Sequence, residues 1–189
     1  QAYSGQHLCG KCLSDSIRKR TAKELRKQLI LPKNARHEDG SPFRLLVAVS
    51  GGKDSAVLLS MIVDIIGKRR DIEIIAGCVD EGIQGYRKPS MECAMNLSKD
   101  LGIRFETISY PEMGYERMDS VVSKMPKIGN LHDEANGMMP CSFCGVFRRQ
   151  GLNALAHKTN ADVMELGHNL DDMAQSILMN LQKGEVERA

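Results

Sequence analysis

Tryptophan is absent from the 189 residues, and only 4% of them are aromatic. That scarcity argues against a stacking platform for single-stranded nucleic acid, which needs aromatic faces. No apolar run reaches the roughly 18 residues expected of a membrane-spanning helix. The longest, residues 56–66, is interrupted by Ser60 and Asp64. No signal-peptide pattern is visible. The chain opens at Gln1 rather than Met and stops at Ala189 without a closing element, so both ends are expected to be incomplete. Disulfide-scaffold density is missing as well. The six cysteines form two C-x-x-C pairs and two singles, a pattern of metal or redox chemistry in a reducing, cytoplasmic setting. Charge of one sign is also lacking, the net being +2. Its distribution is uneven, however. Residues 1–44 carry ten Lys or Arg against four Asp or Glu, whereas residues 45–189 carry sixteen against twenty. A basic arm beside a neutral or acidic body suits a polyanion such as nucleic acid, although a solvated helix face has the same composition.

The chain does contain Ser50-Gly51-Gly52-Lys53-Asp54-Ser55, set between the apolar stretches 45–49 and 56–66. The first stretch reads as a buried strand and the second as a helix. A strand, a glycine turn and a helix N-terminus together cradle an anion, through free backbone N–H groups and the helix dipole. Two glycines let a phosphate approach the backbone, and Lys53 adds a point charge. A Walker A loop is excluded, because Val47 stands where its first glycine belongs and Asp54 follows the lysine. The dinucleotide pattern G-x-G-x-x-G is absent. A tight turn with a capping Asp or Ser is the plainer alternative.

Along the chain, residues 1–14 read as a loop holding Cys9 and Cys12. A helix capped by Asp15 or Ser16 is expected to run to about Leu31. Its apolar face is Ile17, Thr21, Leu25 and Leu29, with Pro32 as the stop. Residues 33–43 form a linker, and residues 44–189 a body of alternating strands (44–50, 72–79, 103–109, 162–167) and helices (54–66, 88–101, 145–158, 170–182). That alternation predicts an α/β fold with a parallel, doubly wound sheet. Residues 113–122 are expected to be helical and residues 130–140 to form a loop. Met61, Met91, Met95, Met173 and Met179, with Cys78 and Cys93, read as core. Three polar clusters fall at strand C-termini, where such sheets bind ligands: residues 50–55, residues 80–82 and residues 167–172.

Cys141-Ser142-Phe143-Cys144 precedes Gly145-Val146-Phe147-Arg148-Arg149 at a helix start. The helix dipole and neighbouring arginines favour thiolate there, which suits zinc, an iron–sulfur cluster or a redox dithiol; two structural cysteines are the alternative. Taken with Val79-Asp80-Glu81-Gly82-Ile83, and with Gly167-His168-Asn169-Leu170-Asp171-Asp172-Met173-Ala174, the pattern closely resembles the tRNA 2-thiolation enzymes. These belong to the pyrophosphate-loop ATP pyrophosphatases, and the nearest subgroup is the cytoplasmic and archaeal one acting on the wobble uridine. The likeness spans almost the whole chain, including Tyr3, Ser4, Gly5, Gln6 and Cys12. Gln175-Ser176 replaces the more usual Glu-Thr.

The resemblance implies the adenine-nucleotide alpha-hydrolase type of fold, with ATP held by Ser50, Gly51, Gly52, Lys53 and Ser55. Adenine lies near Val79, and Gly167 and His168 border the site. Asp54 and Arg148 act in catalysis with Cys141 and Cys144. Asp171 and Asp172 hold Mg²⁺, or else merely start a helix. The uridine O2 attacks the α-phosphate and sulfur then displaces AMP. Cys141 and Cys144 supply two of three ligands of a 4Fe–4S cluster whose open iron carries sulfide, and the third ligand is expected beyond Ala189. Cys9 and Cys12 form half of a zinc site. The partners implied are tRNA, a sulfur donor (sulfide or a ubiquitin-like carrier) and a second copy in a homodimer, with no membrane. Thiolation at a T-loop uridine or anticodon-loop cytidine, an amidating ligase using the same loop, and a non-catalytic zinc-knuckle RNA adaptor are the competing readings.

Overall fold

The computed structural model describes Gly5, residues 7–131 and residues 139–184. Eleven elements follow in order among the described residues. Helix α1 (Gly10–Gln28) precedes β1 (Phe43–Ala48), α2 (Lys53–Ile66), β2 (Ile72–Asp80), α3 (Arg87–Asp100) and β3 (Arg104–Ser109). A 3-10 turn (Pro111–Met113), α4 (Met118–Leu131), α5 (Pro140–Thr159), β4 (Val163–Glu165) and α6 (Leu170–Gln182) complete the chain. No helix among the described residues is long and apolar enough to cross a membrane.

The sheet order is β3-β2-β1-β4, and every pair is parallel. Successive side chains on a strand point to opposite faces, so the apolar run of β1 feeds two cores. Leu45 and Val47 join Leu59, Ile62 and Ala94 on the face covered by α2 and α3. Leu46 joins Ile75, Val79 and Leu155 on the face covered by α4 and α5. Leu45, Leu46 and Val47 are fully buried, each contributing about 1.5–3 kcal/mol. Leu25 of α1 and Leu29, just past its end, enter the first of these cores.

The chain runs outward from β1 to β2 to β3, then returns through α4 and α5 to place β4 on the other side of β1. Strand order therefore reverses between β1 and β4. A crevice opens at the C-terminal ends of strands that part in this way. Gly167 closes it tightly: a Cβ there would sit 3.1 Å from the Ser55 Cα. The chain leaving β4 thus packs directly on the first turn of α2.

Several local expectations are corrected. Helix α1 starts at Gly10, with Cys9 rather than Asp15 or Ser16 at the N-cap, so Cys12 lies inside its first turn. Nothing between Gly10 and Asp15 breaks a helix once Cys9 is extended. Helix α1 ends at Gln28, before Pro32, because Leu29 turns extended and buries itself. Helix α5 starts at Pro140 rather than residue 145, since proline is pre-shaped for the first helical position. The stretch expected to be helical over 113–122 is split by Gly114 at φ +81°, and helix resumes at Met118. In the loop expected at 130–140, residues 130 and 131 close α4 and residue 140 opens α5. Residues 132–138 lie outside the described residues, as do Tyr3, Ser4, Gln6 and residues 185–189. Met95, Met173 and Met179 are exposed rather than core, and Cys93 is exposed too. In α3, Ala94 takes the buried position beside Cys93 and Met95, whereas α6 buries none of its residues.

Candidate active site

A cleft of about 250 Å³ opens at the switch point between β1 and β4. Ser50, Gly52, Asp54, Ser55, Val79, Gly167, His168 and Arg148 line it. These eight come from the loop after β1, α2, β2, α5 and the segment after β4, so the topology gathers what the sequence disperses.

The loop is built by its own short side chains. Ser55 Oγ accepts from the Ser50 N–H at 3.1 Å and donates to the Gly52 carbonyl at 3.0 Å. The N-cap of α2 is Gly52, with no side chain to satisfy the first-turn N–H groups. Those donors and the helix dipole are left for an anion. Gly51 takes φ +87° and passes so close to α3 that a Cβ would lie 1.9 Å from the Ser90 carbonyl oxygen. Lys53 occupies the first position of α2, exposed and off the cleft wall.

Asp171 and Asp172 open α6 and are likewise off the cleft wall. The Asn169 side chain accepts from the Asp172 N–H at 3.0 Å, and the Asp172 carboxylate accepts from the Asn169 N–H at 2.9 Å. This reciprocal capping box occupies one Asp172 oxygen.

A second cleft, of about 370 Å³, adjoins the first. Cys141, Cys144 and Arg148 line it, so Arg148 forms a wall of both. Both cysteines fall in the first turns of α5. Arg148 Nη2 reaches Cys144 Sγ at 3.5 Å. Beneath them the Tyr110 hydroxyl donates to the Cys144 carbonyl at 3.1 Å. Burial, and then its hydrogen bonding to Cys144, push that phenol far above its ordinary range. Of the other cysteines, Cys78 is buried, and burial raises its thiol to about 11. Cys9 and Cys12 stand exposed at the start of α1. Hydrogen bonds from the Cys12 backbone and thiol lower the Cys9 thiol, and the same pairing raises Cys12.

Arg87 was not recognised from sequence, and Glu81 was noted there only as part of the cluster at residues 80–82. Glu81 and Arg87 are buried in the cleft wall, with side chains 5% and 6% exposed, and form an ion pair at 2.7 Å. The Arg87 N–H is not aligned on the oxygen as a hydrogen bond. Glu81 also pairs with Arg148 Nε at 3.0 Å. Burial works to lower the Arg148 pKa, but the Glu81 carboxylate and the Cys144 sulfur outweigh it and the pKa rises. The acidic cluster at residues 80–82 pointed to this corner and Arg148 was a catalytic candidate, but nothing in the sequence marked Arg87 or joined the three.

Residues 19–189 match the family described as the PP-loop domain. The tRNA 2-thiolation protein NcsA of Haloferax volcanii is 38% identical over 187 residues, covering 99% of this chain and 55% of that protein. Cytoplasmic tRNA 2-thiolation protein 1 of Caenorhabditis briggsae is 34% identical over 190 residues, covering 100% of this chain and 46% of that protein. Among solved structures, the U34-tRNA thiolase NcsA from Methanococcus maripaludis, with its [4Fe-4S] cluster, superposes with a TM-score of 0.76 at 30% identity. That match covers 99% of this chain and 56% of the other. The chain spans about half the length of the curated relatives it matches.

Proposed function

This chain belongs to the PP-loop domain family, and from that premise we propose that it carries the ATP-using half of a tRNA 2-thiouridine synthetase. The observation that carries the reading is the shared wall. Arg148 borders both the cleft at the phosphate loop and the cleft at Cys141 and Cys144. An amidating ligase would use the first cleft and leave the second without a purpose.

In this reading the backbone N–H groups at the start of α2 hold the ATP phosphates, and Lys53 screens them from outside the cleft. Arg148 steadies charge at the α-phosphate. A uridine carbonyl oxygen, O2, attacks that phosphorus, an O–P bond forms, and pyrophosphate leaves. Adenylation is needed because a carbonyl oxygen is otherwise a poor leaving group. Asp54, on the cleft wall, is placed to accept the N3 proton of the base or to hold Mg²⁺, with Asp171 and Asp172 as alternative magnesium ligands. Sulfide sulfur then bonds to C2 and AMP departs with the original oxygen. Positioning and charge placement supply most of the rate in such transfers.

The two thiols on one helix start fit part of an iron–sulfur ligand set. Among the described residues, no third cysteine lines their cleft. When bound, a [4Fe–4S] cluster there would supply the sulfur-carrying site. Cys9 and Cys12 would give two ligands of a zinc site at the head of the basic helix. We keep the division into an arm (1–32), a linker (33–43) and a PP-loop body (44–189). The sulfur donor is sulfide or a ubiquitin-like carrier, the assembly a homodimer and the setting the cytoplasm. Uridine 34 is the preferred target.

The test is tRNA-dependent pyrophosphate release together with sulfur incorporation. Release with ammonia and no tRNA would favour the ligase instead. A related prediction concerns the arm. Lys19, Lys23 and Arg26 are exposed on α1. If they meet phosphates, replacing all three by Gln should flatten the log-affinity against log-salt slope by about one unit per lost contact. An unchanged slope by filter binding assigns them to an ordinary solvated face.

A further inference from the structure

Glu81 lies just past β2 and is almost fully buried. Its two oxygens reach two arginines held in very different ways. Arg87 is anchored by backbone acceptors as well as by Glu81: Nη1 donates to the Ser50 carbonyl at 3.1 Å, and Nη2 donates to the Val79 carbonyl. Among the described residues, Arg148 has no such backbone anchor. Its side chain is 53% exposed, and its carboxylate partner is Glu81 Oε1, at 3.0 Å. On its far side stands Cys144 Sγ. A long arginine side chain on a helix surface samples many rotamers unless something pins it.

A buried carboxylate is costly to desolvate, and packed apolar groups commonly stabilise as well or better. Arg87 alone would neutralise Glu81, so stability does not require the second arginine. The arrangement instead fixes Arg148, the cation common to both clefts among the described residues. We propose that Glu81 is a positioning residue: its buried carboxylate holds the Arg148 guanidinium on the shared wall, between nucleotide phosphate on one side and Cys144 on the other. The inference rests on the nucleotide assignment of the first cleft under the proposed function.

The test is a double-mutant cycle on ATP affinity, read by calorimetry on the full chain without RNA. Arg148→Gln leaves Glu81 paired with Arg87 and is expected to weaken ATP binding by about tenfold, the loss of one charge-assisted contact. Glu81→Gln should reproduce most of that loss. The double variant should bind no more weakly than Arg148→Gln alone, because Glu81 acts through Arg148. A purely structural role would multiply the two losses. Wild-type affinity in Glu81→Gln, or multiplied losses, overturns the proposal. If Glu81→Gln does not fold, Glu81→Asp carries the same cycle. It keeps a charge for Arg87 but withdraws the carboxylate from Arg148 by one methylene. A wild type that binds ATP yet releases no pyrophosphate with tRNA would sink the thiolation reading and leave the cycle readable. A wild type that binds no ATP overturns both.

Discussion

Gly51→Ala is expected to reduce ATP affinity by a hundredfold or more and to lower thermal stability measurably. Gly51 sits at φ +87°, and an added Cβ would meet the Ser90 backbone at 1.9 Å from O and 2.6 Å from C. A left-handed conformation costs a residue with a Cβ about 1–2 kcal/mol. The contact is more serious, because its partner is main chain that cannot rotate away. Either the loop or the start of α3 must move. A shift of about 1 Å suffices to cost a hundredfold at a positioned site. Gly52→Ala is the control. Gly52 has φ −85°, and a Cβ there meets only Ser50 Oγ, at 3.4 Å. It should fold normally, so any lost ATP affinity in Gly52→Ala would report on phosphate approach alone. Calorimetry and thermal melting of both variants check this. Near-normal ATP affinity in a folded Gly51→Ala protein would show that the loop does not hold the phosphates.

Cys141→Ala or Cys144→Ala should abolish tRNA thiolation while leaving ATP affinity within a few-fold of wild type. The cysteines line the second cleft, whereas Ser50, Gly52 and Ser55 line the first. The two sets of groups are separable, with Arg148 as their common member. Anaerobic full-length protein is expected to be brown, and each variant to lose the colour together with sulfur transfer. Adenylation, measured as tRNA-dependent pyrophosphate release, should persist and would assign the cysteines to the sulfur step. Colourless protein that still thiolates tRNA would sink the cluster and leave a thiolate or persulfide route. Variants with full activity would make both cysteines structural.

Some of this site follows from local chemistry and was readable in the sequence. A tight glycine turn between an apolar strand and a helix is dictated by a few consecutive residues, so the turn at residues 50–55 is evident in the sequence. The same holds for the strand–helix alternation, and for Cys141 and Cys144 at a helix start. Element ends were less legible, because helix and turn energies nearly balance there. Thus Cys9 caps α1 rather than lying in a loop, and Gly114 interrupts an expected helix. Contacts between distant residues left no local signature at all. Only the tertiary structure placed β4 beside β1 rather than β3, and that reversal opens the crevice. Only it joined Glu81 to Arg87 and Arg148, and left Met173 and Met179 exposed. An ion pair or a buried face depends on what another part of the chain brings alongside, and neither periodicity nor motif spacing carries that information.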